Sequence, residues 1–254
     1  MATNPLEAFS PKNMDSTIYR YMDFTKFISM LENRGLWFSR ANKLGDPFEG
    51  SMSLANLKLR PQLYGNDIPP DKLKEMEKIR EKMVKLALVN CWHINEGESM
   101  AMWKIYGKAN EAIAIQSRCR LLQECIQSDH DIHIGKVKYI DRQSDNPANF
   151  VPEGNLMYAF MYKDRAFEYE NELRAFKLDL KEIPQDDKGI NITKSEPPNS
   201  GMMVTIDLRK LLQRVVISPV SEPWFYDLLK NLLEKYELDR EILGWSSFKR
   251  KPVF

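Results

Sequence analysis

Cysteine and histidine are both scarce in this chain of 254 residues. The three cysteines, Cys91, Cys119 and Cys125, are an odd number without metal-ligand spacing. That excludes a disulfide framework or a zinc ribbon and fits free thiols in a reducing cytoplasm. Of the three histidines, His130 and His133 fall in a polar turn, SDHDIH, where solvation is expected, while His93 follows Trp92 at a strand end and can approach a site. A zinc enzyme is not expected. Long apolar runs are missing too: none reaches the ~18 residues that span a bilayer, and mean hydropathy is -0.48. The opening MATNPLEAFSPKNMDS lacks a basic segment followed by an apolar one, so no secretory leader and a cytoplasmic location are expected. Neither sign of charge dominates. The 37 Lys+Arg against 36 Asp+Glu leave a net +1, which excludes a strongly basic nucleic-acid protein but leaves room for a local basic patch. The Walker A, GxGxxG, GxSxG, CxxC and HExxH patterns are all absent.

What is present is enough for a core, with 43% hydrophobic and 11% aromatic residues. Residues 1–16 are polar and contain proline, and read as a flexible arm before one domain over 17–254. The β-branched and aromatic run at 17–22 predicts a strand. Asp23 then sits where an N-cap belongs, Phe24, Phe27, Ile28 and Leu31 share one helical face, and Gly35 suits the C′ position. A strand at 36–39 and a turn-rich loop at 41–50 follow, then a charged helix after the Pro69-Pro70 break that runs into a strand ending near His93. Further elements are a helix at 98–107, a strand at 112–117, a helix near 120–127, a strand near 135–140 and an apolar helix at 155–162. The chain closes with a half-exposed strand at 172–178, a polar loop at 182–201, two strands at 203–208 and 215–218, and a helix at 223–236. Irregular alternation of strands and helices, without internal repeats, makes the class α+β.

Three segments demand more than packing. Leu36-Trp37-Phe38-Ser39-Arg40 delivers a polar pair into Leu44-Gly45-Asp46-Pro47-Phe48-Glu49-Gly50, a tight loop with two acids. Glu98 or Ser99 can start the helix that places Trp103 and Tyr106 on one face at i,i+3, either as core or as a wall for a flat ring. In Phe167-Glu168-Tyr169-Glu170-Asn171-Glu172-Leu173-Arg174, three acids at two-residue spacing would share one side of an extended chain. Such a row needs a cation nearby, whether a side chain, a metal or a substrate.

The order YRYMD, LWFSRANKLGDPFEG, ESMAMWKIYG, FEYENELR, with Trp245-Ser246-Ser247-Phe248-Lys249 near the end, resembles domain-of-unknown-function family 2971, a bacterial family of defence-type and mobile genomic settings. Through it the chain resembles, distantly, the ADP-ribosyltransferases. That likeness implies a single α+β domain with a mixed or antiparallel split sheet flanked by helices, NAD as substrate, and a protein or nucleic-acid acceptor. It also implies roles. Arg20 would hold the NAD diphosphate, where a guanidinium fork fits the oxygens. Ser39 would follow on the second strand, with Trp37, Trp103 or Tyr106 stacking on the ring. Glu172, within Glu170-Asn171-Glu172, would contact the ribose and stabilise oxocarbenium-like charge, with Glu170 on the acceptor side. Asp46, Glu49 and His93 would rim the cleft. No Ser-Thr-Ser triplet follows the second strand; the Leu-Gly-Asp-Pro loop stands there instead.

Two other readings compete. Asp46, Glu49, Glu170 and Glu172 could gather Mg²⁺ for a nuclease or hydrolase, or the fold could serve as a binding module without chemistry. On the transferase reading, Glu172→Gln should lower turnover by roughly a hundredfold or more while leaving folding little affected.

Overall fold

The computed structural model describes residues 6–51, 69–107, 110–126, 131–143, 156–180, 185–186, 189–190 and 200–250. Strand β1 (Thr17–Asp23) hands over to helix α1 (Phe24–Glu32) at Asp23, whose carboxylate accepts from the Lys26 amide at 2.8 Å and so satisfies a helix-end donor. The helix buries Phe27, Met30 and Leu31. Its stop differs from the expected glycine. Asn33 is the C-cap, Arg34 takes the left-handed conformation at φ 44°, and Gly35 already begins β2 (Gly35–Arg40), pressed against Met203. After a 3-10 turn at Ala41–Lys43 and the later helix α2 (Pro70–Leu86) comes β3 (Ala87–Ile94). The expected helix at 98–107 is α3 (Met100–Tyr106), capped by the Ser99 hydroxyl. Strand β4 (Ala112–Arg118), helix α4 (Cys119–Cys125), β5 (His133–Lys136) and β6 (Lys138–Ile140) follow.

The apolar segment before residue 162 winds as a 3-10 helix, Leu156–Met161, rather than an α-helix, and leads into β7 (Tyr162–Asp164). A second 3-10 helix, Arg165–Glu170, precedes β8 (Glu172–Leu178). Short strands β9 (Gln185–Asp186) and β10 (Gly189–Ile190) pair with each other; the rest of the polar loop expected at 182–201 lies outside the described residues up to Ser200. The chain ends with β11 (Gly201–Thr205), α5 (Leu208–Leu211), β12 (Arg214–Ile217), α6 (Pro223–Lys235) and β13 (Leu243–Trp245).

The class is α+β, with a mixed, largely antiparallel open sheet. Nine strands form the main sheet, in the order β11-β2-β3-β1-β4-β12-β13, with β8 also on β3 and β5 on β8. Among the described residues, only β12 with β13, and β6 with β7 outside the main sheet, run parallel. Strand β3 is the branch point. Along one edge it pairs with β8 from Ala87 to His93. Along the other it meets β2 at Val89 and Leu88 and meets β1 at Ile94 and His93. Between these contacts Asn90, Cys91 and Trp92 pair with neither strand, so the sheet opens there into a split.

Side chains satisfy the backbone at the opening, as buried polar groups require. Arg20 donates to the Cys91 carbonyl at 3.2 Å, and the Asn90 amide donates to the Trp37 carbonyl at 2.8 Å. Trp92 in turn donates to Asn90 Oδ1 at 2.7 Å, which holds the amide in place.

The main core packs Ile18, Phe38, Trp92 and Ile115 against α1 and Phe225, Leu229 and Leu233 of α6. A second core joins Val89 and Phe176 to Met83 and Leu86 of α2 and to Phe160. Leu6 and Phe9, inside the stretch read from sequence as an arm, are buried in that second core. Strand β8 is not half-exposed: every residue from Glu172 to Lys177 is buried, because β3 and β5 flank it and both cores cover it.

Candidate functional site

The split opens into a cleft of about 660 Å³. Arg20, Ser39 and Glu172, drawn from β1, β2 and β8, all line it, and so do Trp37, Tyr106 and Asp46. Glu170 and His93 complete its polar wall. Trp37 and Tyr106 are each 41% exposed, as a ring-stacking surface must be, and Trp37 lies over Gly201, where a Cβ would come within 2.6 Å of the indole.

Two of the expected site residues stand elsewhere. Trp103 is 3% exposed and packs edge-on to Tyr21 in a small core under the sheet, its indole N–H bound to Glu98 at 3.0 Å. The i,i+3 spacing with Tyr106 did not discriminate, because α3 lies on the sheet and covers Trp103 first. Glu49 is buried and absent from the cleft lining, turned instead into an ion pair with Arg174. Arg40, expected beside Ser39 in the loop, points to the other face of β2 and pairs with Asp179 at 2.7 Å.

The acids near residue 170 also depart from the expected row. The 3-10 helix and the left-handed Asn171 break the two-residue alternation, so Glu168 is exposed while Glu170 and Glu172 are buried. Their need for cations is met within the chain. Arg174 grips both oxygens of Glu172, at 2.8 and 3.0 Å, and both oxygens of Glu49, at 2.5 and 2.9 Å. Lys163 bonds Glu170 at 2.5 Å and stands 3.5 Å from Glu172; the Tyr106 hydroxyl donates to the other Glu170 oxygen at 2.8 Å. Arg174 was missed from sequence, although its place two residues after Glu172 on one strand made it the nearest same-face cation.

Burial pushes the Glu172 carboxyl up, but Arg174 and Lys163 outweigh it and hold the group below the usual carboxylate range. Burial likewise pulls the Lys163 ammonium down, and Glu172 and Glu170 more than restore it. The Cys91 thiol in the cleft is pushed well up by burial and then by Glu172, so it is not a ready nucleophile. Among the described residues no group of three or more His, Cys, Asp or Glu side chains is placed to hold a metal ion, so the four carboxylates of the Mg²⁺ reading do not converge.

Three polar groups of the cleft are left short of partners. Among the described residues the Arg20 guanidinium makes one hydrogen bond, to the Cys91 carbonyl, and burial pushes its pKa down with no carboxylate to offset it. Asp46 is buried, with Oδ1 accepting from the Phe48 amide and Oδ2 unpartnered among the described residues. His93 is buried, with Nδ1 2.6 Å from the Glu170 carbonyl and Nε2 unpartnered among the described residues. His133, by contrast, is on β5 beside Asp131 at 3.2 Å, outside the cleft lining, and His130 lies outside the described residues.

Site and fold together define an α+β protein with a ring-and-charge-lined cleft in a split sheet. Over residues 102–175 the chain is similar to the family described as Protein of unknown function (DUF2971). That supports the family resemblance over the stretch from α3 to β8, which includes Tyr106, Glu170, Glu172 and Arg174. No curated protein and no solved structure matches the chain. Among the described residues no helix is long and apolar enough to cross a membrane.

Proposed function

We propose that the cleft binds NAD and that the protein is an ADP-ribosyltransferase-like enzyme acting on a protein or nucleic-acid acceptor. The observation that carries this reading is the set of under-partnered groups in one cleft. Arg20 has guanidinium N–H groups to spare, while Asp46 Oδ2 and His93 Nε2 are acceptors without donors among the described residues. Native structures rarely leave such groups unsatisfied without a functional reason. A dinucleotide supplies complements for two of them: diphosphate oxygens for Arg20, and ribose hydroxyls or a carboxamide for Asp46. Trp37 and Tyr106 then serve as platforms for its flat rings. Ser39 adds a hydroxyl to the lining, and Glu172 and Glu170 add carboxylates held by Arg174 and Lys163. The motif-order resemblance extends this reading to a bacterial defence or toxin setting.

One observation favours a second reading. Glu172 is already neutralised by the Arg174 fork, which weakens its ability to stabilise a cation in a transition state, as a binding module without chemistry would tolerate. The two separate in one experiment. NAD titrated calorimetrically into the protein should bind on the transferase reading, and release of nicotinamide from labelled NAD should follow only there. No heat of binding and no nicotinamide release would favour the binding module, with another ligand in the cleft.

A further inference from the structure

His93 and Asp46 are the two groups of the cleft with an unpartnered buried acceptor atom among the described residues, and only His93 carries it on an imidazole. The Glu170 carbonyl can only accept, so the 2.6 Å contact places the proton of the neutral ring on Nδ1. The Nε2 lone pair is then the free one, on a ring that is 5% exposed and lines the cleft. Glu170 and Glu172, the other bases of that wall, are occupied by Lys163, Tyr106 and Arg174. Resting on the transferase reading, we infer that His93 is the general base that deprotonates the acceptor, and that the acceptor is a hydroxyl.

The charge of the cleft narrows the acceptor. Its lining has four cations, Arg20, Lys26, Lys43 and Lys163, against three carboxylates; Lys26 is held by Asp23, Lys163 by Glu170 and Glu172 by Arg174, which leaves Arg20 and Lys43 against Asp46. A guanidinium or ammonium acceptor is repelled by that balance, whereas a neutral hydroxyl is not. A hydroxyl is a weak nucleophile that must lose its proton as it attacks, which makes a free imidazole nitrogen the needed partner. The step balances. The bond from the ribose C1′ to the pyridinium nitrogen breaks, and its electron pair leaves with neutral nicotinamide. The acceptor oxygen bonds to C1′, and its proton passes to Nε2, from which it returns to solvent. The Glu170 carbonyl, fixed by the Asn171 turn, accepts from Nδ1–H and stabilises the imidazolium so formed.

The test uses the full chain with NAD, water and methanol as acceptors, and guanidine as the contrasting one. His93→Gln should bind NAD within about threefold of wild type yet release nicotinamide at least ~100-fold more slowly. His93→Ala should show the same loss and regain part of the rate with added imidazole, which His93→Gln should not. Mass spectrometry should find an O-methyl ADP-ribose product from methanol and no guanidine adduct. Release by His93→Gln within a few-fold of wild type overturns the inference, as does a folded His93→Ala that imidazole leaves inactive. A guanidine adduct in preference to the methyl one overturns the hydroxyl assignment. Absence of nicotinamide release by the wild type instead overturns the transferase reading, and the base with it.

Discussion

Arg20 and Glu172 both line the cleft, yet their surroundings set them opposite tasks. Arg20 is a partly buried cation with a single carbonyl partner among the described residues, which leaves guanidinium N–H groups for an anion. Arg20→Ala should therefore weaken NAD binding by roughly 10- to 100-fold, the worth of about 1.5–3 kcal/mol for hydrogen bonds to a charged group. Stability should hardly change, because the substitution removes an uncompensated charge along with its one bond. Calorimetric titration beside a urea melt checks both halves. Glu172 is the reverse case. Its carboxylate is committed to Arg174 and Lys163, so Glu172→Gln should destabilise the fold by about 3 kcal/mol, the lower end for breaking a buried pair, since Glu49 still holds Arg174. This corrects the sequence-based expectation that folding would be little affected. The pH sign follows from the lowered carboxyl. The folded value lies below the unfolded ~4.3, so the contribution is present above the ordinary carboxylate range and lost as pH falls through the folded value. Urea midpoints followed downward from about pH 7 should fall less steeply on the acid side in Glu172→Gln than in wild type.

At the scale of elements, β11 and β2 build the aromatic wall together. Gly201 pairs with Ser39, and the Trp37 indole lies where the missing Cβ would be. An alanine Cβ there would stand 2.2 Å from the Phe38 carbonyl oxygen, a distance only a backbone shift can relieve. Gly201→Ala should then cost about 1–3 kcal/mol, the usual range for overpacking, and swing Trp37 off the cleft. The checks are a urea melt and the loss of NAD-dependent quenching of tryptophan fluorescence. Glu98 does similar work for α3: it accepts from Trp103, from Ser246 at 2.5 Å and from the Ser247 amide at 2.7 Å, tying the helix that carries Tyr106 to the serine-rich segment after β13.

For the whole molecule, the cleft is lined by residues of strands from distant parts of the chain, so a ligand filling it would bridge β1, β2 and β8. A ligand that bound only the folded state would stabilise all of it. NAD at about 100 times its dissociation constant should add ~2.7 kcal/mol to the unfolding free energy, visible as an upward shift of the thermal midpoint. Arg20→Ala, measured at the same NAD concentration, should lose most of that shift. An equal shift in both proteins would place the NAD contact away from Arg20.

The sequence by itself determined the local elements and the polar types. A β-branched and aromatic run marked β1, the aromatic run at 36–39 marked β2, Asp23 and the Glu98-Ser99 pair marked two helix starts, and the acids around residue 170 announced a need for positive charge. Such signals act over a few residues, where spacing and hydrogen-bonding capacity suffice. Only the tertiary structure decided which residues meet. It turned Glu49 to Arg174, covered Trp103 with the sheet, buried Leu6 and Phe9, and left His93 Nε2 and Asp46 Oδ2 without partners among the described residues. It also decided the split itself, since the opening at Asn90–Trp92 exists because β1 and β2 pair with opposite ends of β3. Strand order and register are long-range pairings, and no residue carries them in its own spacing; the cleft is a product of those pairings, with the charge and aromatic chemistry written locally along each strand.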